Sequence, residues 1–210
     1  MLTFNPGRIA RSLIAVAGVF VAPYAASAQT APAPPNNATL CVTCHGMHGE
    51  GAVTGAPRLA GQNPEYMSHA LSMFKARTRA SAIMQPIAQT LGDAQMSELA
   101  NYFSKQKAPL VAARSAVAPQ LLQAGKQLAE AGAANAAACF SCHGKQGNGN
   151  GVRFPSIAGQ PAQFVIDRLH EFQARAQAQP PRPDSMTAVA ATLDEQQIQA
   201  AAAYLARLDN

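Results

Sequence analysis

Tryptophan is absent, and aromatic residues make up only 6% of the 210-residue chain. The large side chains that dominate core energetics are therefore scarce for this length. Much of the 48% hydrophobic content is alanine, so something other than bulky packing has to fill the interior. Charged residues are also few, at 13%. Outside the extreme N-terminus no stretch approaches the roughly 18 consecutive apolar residues of a bilayer-spanning helix, which excludes a multi-pass membrane protein. Alternating strand patterns are missing throughout, while apolar residues recur at helical spacing, so the fold class is all-α. Cysteine is limited to four residues, and they fall into two identically spaced pairs.

Residues 1–28 read as a secretory signal peptide. Arg8 and Arg11 supply a basic start, Ser12 to Val21 an apolar stretch too short to span a bilayer, and Ala26-Ser27-Ala28 a small-x-small cleavage pattern. Cleavage would start the mature chain near Gln29 and lower the net charge from +5 to +3. The remaining Lys and Arg are scattered, which argues against nucleic acid as a partner. Export makes a disulfide the default reading for paired cysteines. Here a different reading competes with it.

Cys41-Val-Thr-Cys44-His45-Gly46 recurs as Cys139-Phe-Ser-Cys142-His143-Gly144, at an offset of 98 residues. The match runs on through Pro57-Arg-Leu-Ala-Gly61-Gln62 and Pro155-Ser-Ile-Ala-Gly159-Gln160, and pairs Tyr66, Leu71, Phe74 and Arg77 with Phe164, Leu169, Phe172 and Arg175. A four-residue insertion in the second copy, near Gln179 to Pro183, then raises the offset to 102 and pairs Met84 with Met186, Leu91 with Leu193 and Tyr102 with Tyr204. The chain is a tandem duplication. Lys107 to Pro119, poor in bulky apolar residues and punctuated by Pro109 and Pro119, is the linker. It divides the mature chain into domains at 29–108 and 119–210, with 109–118 between them.

Helices are predicted over Pro64 to Arg77, with Tyr66, Ala70, Met73 and Phe74 inward, and over Asp93 to Lys105, with Met96, Leu99 and Phe103 inward. In the second copy Asp194 and Gln197 open a further helix as a capping box, ahead of Ile198, Ala202 and Leu205.

Residues three apart lie on one face of a helical turn, so Cys41 and Cys44 present both sulfurs to one edge of a flat ligand, with His45 next to them. Cys139, Cys142 and His143 repeat that arrangement. This is the signature of covalent c-type haem attachment. A zinc site would need two further ligands per copy, and a thioredoxin-like pair a βαβ context; neither pattern is present. The sixth iron ligand follows by elimination. Met186 is the only methionine after Met96, and it recurs with Met84. His170, His69 and His48 align with Ser72, Asp167 and Gln146, so no second histidine is duplicated. The expected axial pairs are His45/Met84 and His143/Met186. Such ligation raises the reduction potential and closes the iron to peroxide and oxygen, the arrangement of an electron carrier rather than an enzyme. The Pro57 and Pro155 carbonyls stand where they can accept the imidazole Nδ1 proton.

Through C-x-x-C-H-G, P-x-[LI]-A-G-Q and Met84-Gln-Pro-Ile-Ala, the chain resembles tandem class I cytochromes c of the cytochrome c4 family from Cys41 onward. The resemblance implies two low-spin haem c groups in domains related by a pseudo-twofold. It also implies a periplasmic carrier, soluble or peripherally membrane-associated, between a quinol-oxidising complex and a terminal oxidase. By matching positions, the four cysteines are its thioether attachments. Pro119 to Gly132 is the N-terminal helix of the second domain, with Gly125 available for a close crossing, whereas the Pro- and Asn-rich stretch before Cys41 leaves little room for a counterpart. The first copy, through Cys44-His-Gly-Met-His-Gly49 and Ser81-Ala-Ile-Met84, also resembles the dihaem subunit of flavocytochrome c sulfide dehydrogenases, which would make a dehydrogenase flavoprotein the partner. A dihaem peroxidase or a thiosulfate-oxidising enzyme ranks lower. The former needs an open coordination position and the latter a further cysteine ligand.

Overall fold

The computed structural model describes residues 1–3, 34–111 and 116–209. The export signal read at residues 1–28 therefore lies almost wholly outside the described residues. Residues 1–3 belong to one unit, Met1–Ala31, and the chain from Pro32 to Asn210 forms a second compact unit. Among the described residues there are no strands, only two isolated bridges, Ala133 with Ala136 and Asn150 with Phe154. No helix there is long and apolar enough to cross a membrane.

The second unit contains two lobes of the same design. In the first, α1 (Thr39–His45) carries the cysteine motif, followed by α2 (Pro64–Lys75), α3 (Met84–Gln89) and α4 (Asp93–Ser104). The second adds α5 (Pro119–Ala131) ahead of α6 (Cys139–His143), α7 (Ala162–Ala178), α8 (Met186–Ala191) and α9 (Glu195–Leu205). α2 starts where Asn63 Oδ1 accepts the Tyr66 N–H at 2.8 Å and Pro64 occupies the first helical position. α9 starts on a full capping box, with Gln197 N–H donating to Asp194 Oδ1 at 2.8 Å and Asp194 N–H to Gln197 Oε1 at 3.0 Å. Asp194→Ala is expected to cost about 1 kcal/mol in chemical denaturation.

Each lobe has a modest core. In the first, Met67, Leu91, Met96, Leu99 and Phe103 surround Ala38 and Ala100; in the second, Val165, Leu169, Ile198 and Leu205 pack with Ala190 and Ala202. Ala70 and Phe74 are buried as expected for α2 and Met67 joins them, while Tyr66 and Met73 are only partly buried. α2 also ends two residues early. Arg77 sits at φ 60°, in the left-handed region, and its N–H closes on Phe74 O. α7 does the opposite and runs 17 residues against 12 for α2, while the segment before the methionine helix is residues 179–185 against 76–83, so the second copy's extra length goes into the helix and not into the methionine loop. Gln179, just before the prolines, turns extended at φ −147° and stops it.

The lobes differ most at α5. It crosses α9 at Gly125, where a Cβ would overlap the Ala200 carbonyl and come within 2.7 Å of Tyr204 Cβ. Glu130 accepts the Tyr204 hydroxyl at 2.9 Å, and burial, then this carboxylate, push the phenol up to about 12. Among the described residues no helix precedes α1. The α4 face equivalent to the covered face of α9 carries Gln95, Glu98 and Asn101, all exposed, with Glu98 standing where the second copy has Ala200. Polar residues there leave α4 with no apolar stripe for a fifth helix to cover.

Candidate haem sites

Both cysteine motifs are helical, so Cys41 and Cys44, and likewise Cys139 and Cys142, stand one turn apart. None of the four is joined in a disulfide; Cys44 and Cys142 are exposed, and Cys41 and Cys139 are partly buried. Each helix ends on its histidine, and the next residue, Gly46 or Gly144, takes φ 85° or 76°, a conformation glycine adopts without strain. The loop then folds back under the helix. Gly51 N–H and Gly149 N–H reach the carbonyls of His45 and His143 at 2.7 Å, and the Gly49 and Gly147 carbonyls accept from Leu59 and Ile157 at 2.8 Å.

That loop delivers a carbonyl to each imidazole. His45 Nδ1 lies 2.8 Å from Pro57 O, and His143 Nδ1 lies 2.8 Å from Pro155 O. A carbonyl only accepts, so Nδ1 carries the proton and the lone pair stays on Nε2, the tautomer that ligates a metal. Burial lowers the pKa of both rings, while the carbonyl contact opposes it. The neutral ring is thus the form present at neutral pH. The sites are not identical. Phe154 packs edge-on against His143 at 6.2 Å, where the first copy has Ala56.

Met84 and Met186 each occupy the first position of a short helix, α3 or α8, and both are partly buried. Met186 packs against the second lobe's core. Ser81 Oγ accepts the Met84 N–H at 3.0 Å, and Ser185 Oγ accepts from Ala188 at 3.3 Å, so hydroxyls brace both helix starts. The other methionines behave differently: Met96 is 2% exposed in the core and Met47 is 65% exposed. His48 and His69 are exposed, and His170 pairs with Glu195 at 2.8 Å on the surface. Among the described residues no group of three or more His, Cys, Asp or Glu could hold a metal ion, so neither motif gains the ligands of a zinc site.

The donor set fits haem. Each lobe offers two sulfurs on one helical turn and a neutral imidazole with its Nε2 lone pair available. A further fit comes from Arg79, which periodicity and the repeat did not single out. It is 8% exposed, its guanidinium lies 4.7 Å over Phe74, and its Nε finds no hydrogen-bond partner among the described residues. Arg168, from the other lobe, is lowered by burial first and by the positive charge of Arg79 second. Arg168 is paired with Glu171, which leaves the buried Arg79 as the cation suited to a porphyrin carboxylate. The equivalents in the other copy are Gln177 and Ala70, so duplication gave no signal for either arginine.

Comparison with known proteins agrees with this geometry. The family model "Cytochrome c" matches residues 37–107 and 122–209, one segment in each lobe. The thiosulfate dehydrogenase electron acceptor of Stutzerimonas stutzeri (strain A1501) is 37% identical over 81% of this chain and 80% of its own length. Cytochrome c4 of Thiocapsa roseopersicina is 35% identical over 79% of this chain and 85% of its own. The solved structure of Acidithiobacillus ferrooxidans cytochrome c4 superimposes with a TM-score of 0.72 at 34% identity, covering 81% of this chain and 99% of that one. The chain belongs to the cytochrome c family and, within it, to the dihaem cytochromes c4: it is an electron carrier with two covalently bound haem c groups.

Proposed function

We propose that His45 with Met84, and His143 with Met186, are the axial ligands of the two irons, and that the protein carries single electrons between periplasmic redox proteins. The observation that carries this reading is the duplicated imidazole-to-carbonyl contact, 2.8 Å in both lobes, beside each C-x-x-C pair. When bound, haem supplies reversible one-electron chemistry. The chain does the rest. Cys41, Cys44, Cys139 and Cys142 tether the group, the Pro57 and Pro155 carbonyls fix the tautomer and orientation of the rings, and the methionines close the sixth position against exogenous ligands. Residues 29–108 and 119–210, joined by 109–118, form the two haem domains, and residues 1–28 direct export.

The donor we favour is a sulfur-compound dehydrogenase, because a relative 37% identical is named as the electron acceptor of thiosulfate dehydrogenase. A quinol-oxidising complex as donor, a terminal oxidase as acceptor, or a flavoprotein dehydrogenase as a bound partner are the alternatives. Mixing the oxidised holoprotein with each donor under anaerobic conditions separates them: rapid reduction by thiosulfate dehydrogenase with thiosulfate is expected, and reduction by quinol-oxidising complex alone would reverse the assignment. A spectroelectrochemical titration tests the ligation. Two one-electron steps with methionine-ligated low-spin spectra are expected, whereas high-spin ferric haem at neutral pH or sustained peroxidase turnover would overturn it.

Arg79 provides a separate check. Replacing it with methionine removes a buried cation beside the proposed porphyrin carboxylates, which favours the more positive ferric state. The midpoint potential of one haem is therefore expected to fall in Arg79→Met, read in the same titration.

A further inference from the structure

The lobes are joined by two buried glutamines that occupy the same position in each repeat. Gln160, 4% exposed, accepts the Arg58 N–H through Oε1 at 3.0 Å and donates Nε2–H to Arg58 O at 3.0 Å. Gln62, 5% exposed, does the same to Ser156, accepting its N–H at 2.9 Å and donating to its carbonyl at 2.9 Å. Arg58 and Ser156 are themselves repeat equivalents, so the contact is self-complementary in the manner of an isologous interface.

The peptide units involved are also those that hold the imidazoles. Pro57 O accepts from His45 Nδ1, and the N–H of that same peptide bond, on Arg58, donates to Gln160. Pro155 O accepts from His143, and the N–H of its peptide bond, on Ser156, donates to Gln62. Carbonyl and N–H of one peptide are conjugated, so an acceptor pulling on the N–H puts more negative charge on the oxygen. A more negative oxygen draws more strongly on the imidazole proton and makes Nε2 a better electron donor to whatever it ligates.

We propose that Gln160 and Gln62 are positioning residues for the histidine of the opposite lobe, each polarising the peptide that holds that ring and so lowering the reduction potential of the haem it serves. The two arms are unequal. Gln62 Oε1 also accepts the N–H of Asn63 at 3.0 Å, which divides its pull, whereas the residue after Gln160 is Pro161, which has no N–H. The stronger effect belongs to Gln160, acting on His45. The electronic character of each site is set across the interface, by a side chain of the other repeat.

This inference rests on His45 and His143 being iron ligands, which the spectrum of the unsubstituted holoprotein checks independently. The test uses Gln160→Met and Gln62→Met, near-isosteres without hydrogen-bonding capacity, in the ferrous holoprotein labelled with 15N-histidine. In Gln160→Met the His45 Nδ1–H resonance is expected to move upfield and one haem midpoint to rise, with His143 unmoved. In Gln62→Met the His143 resonance moves instead, by a smaller amount. Gln160→Glu keeps an acceptor for Arg58 N–H and is expected to hold the His45 resonance downfield, so a purely structural loosening of the interface would not reproduce the pattern. Unchanged resonances and midpoints in folded variants, or changes confined to the lobe carrying the substitution, would overturn the proposal while leaving the ligand assignment intact.

Discussion

Met186→Ala is expected to strip the thioether from the second haem and leave the first untouched. The charge-transfer absorption of methionine ligation should fall by about half, the vacated position should bind cyanide or carbon monoxide, and one midpoint should drop. Axial ligation spans roughly 0.8 V across haem proteins, so a fall on the order of a few hundred millivolts is in proportion. The position supports so selective an effect. Met186 is the first residue of α8, partly buried against the second lobe's core, and Ser185 caps the helix independently of the thioether. Met96→Ala is the matched control. Met96 is 2% exposed in the first lobe's core, so its loss should cost about 2–5 kcal/mol of stability while the spectrum keeps both methionine-ligated haems. An unchanged charge-transfer absorption in Met186→Ala would remove that residue from the site.

Gly125→Ala is expected to destabilise the second lobe even though alanine is the better helix former. Intrinsic propensity alone favours the substitution by about 1 kcal/mol in a helix interior. The crossing reverses the sign. The added Cβ would overlap the Ala200 carbonyl, and backbone of a packed helix cannot swing aside as the end of a flexible side chain can. Overpacking of this kind typically costs about 1–3 kcal/mol, so the net expectation is a lower denaturation midpoint for the second lobe. Gly92→Ala, at an ordinary φ of −79° with only the end of Gln95 near, should cost less, under about 1 kcal/mol, the amount by which an N-cap prefers Gly to Ala. Equal stability of the two variants would show that α5 does not rest on α9 as described.

Much of this was legible from residues alone because it was local or repeated. The Asp194 and Gln197 capping box, the Gly125 crossing and the helical cysteine motifs each have a short-range signature, and the offset of 98 residues located both imidazole-holding carbonyls from one rule. Two features escaped for physical reasons. The end of α2 depends on Arg77 at φ 60°, a conformation usually announced by glycine. The extension of α7 could not be read because an inserted segment shifts the offset equally whether it lengthens a helix or a loop; the alanine- and glutamine-rich run up to Ala178 chose helix, and the prolines after Gln179 ended it.

The cross-lobe glutamines are a different case. Gln62 and Gln160 stood in plain view inside the repeated A-G-Q segment, yet what they bind lies 94 and 102 residues away, on the other copy. Recurrence marked them, but only the fold says which peptide each one holds. Arg79 and Arg168 lacked even recurrence. The case for Arg79 comes wholly from its burial and its unpartnered Nε, with Arg168 near enough to act on it.

The small cores explain why the cofactor matters to the architecture as well as to the function. Alanine contributes little apolar area, and neither lobe assembles many large buried side chains. A tethered porphyrin then acts as core as well as redox centre. Denaturing intact-mass spectrometry of the protein matured with its haem-attachment machinery tests this most directly. The expected mass is that of the polypeptide plus two haems, reduced to a single-haem mass in Cys142→Ser with Cys139→Ser; an unmodified chain that is nevertheless compact and helical would contradict it.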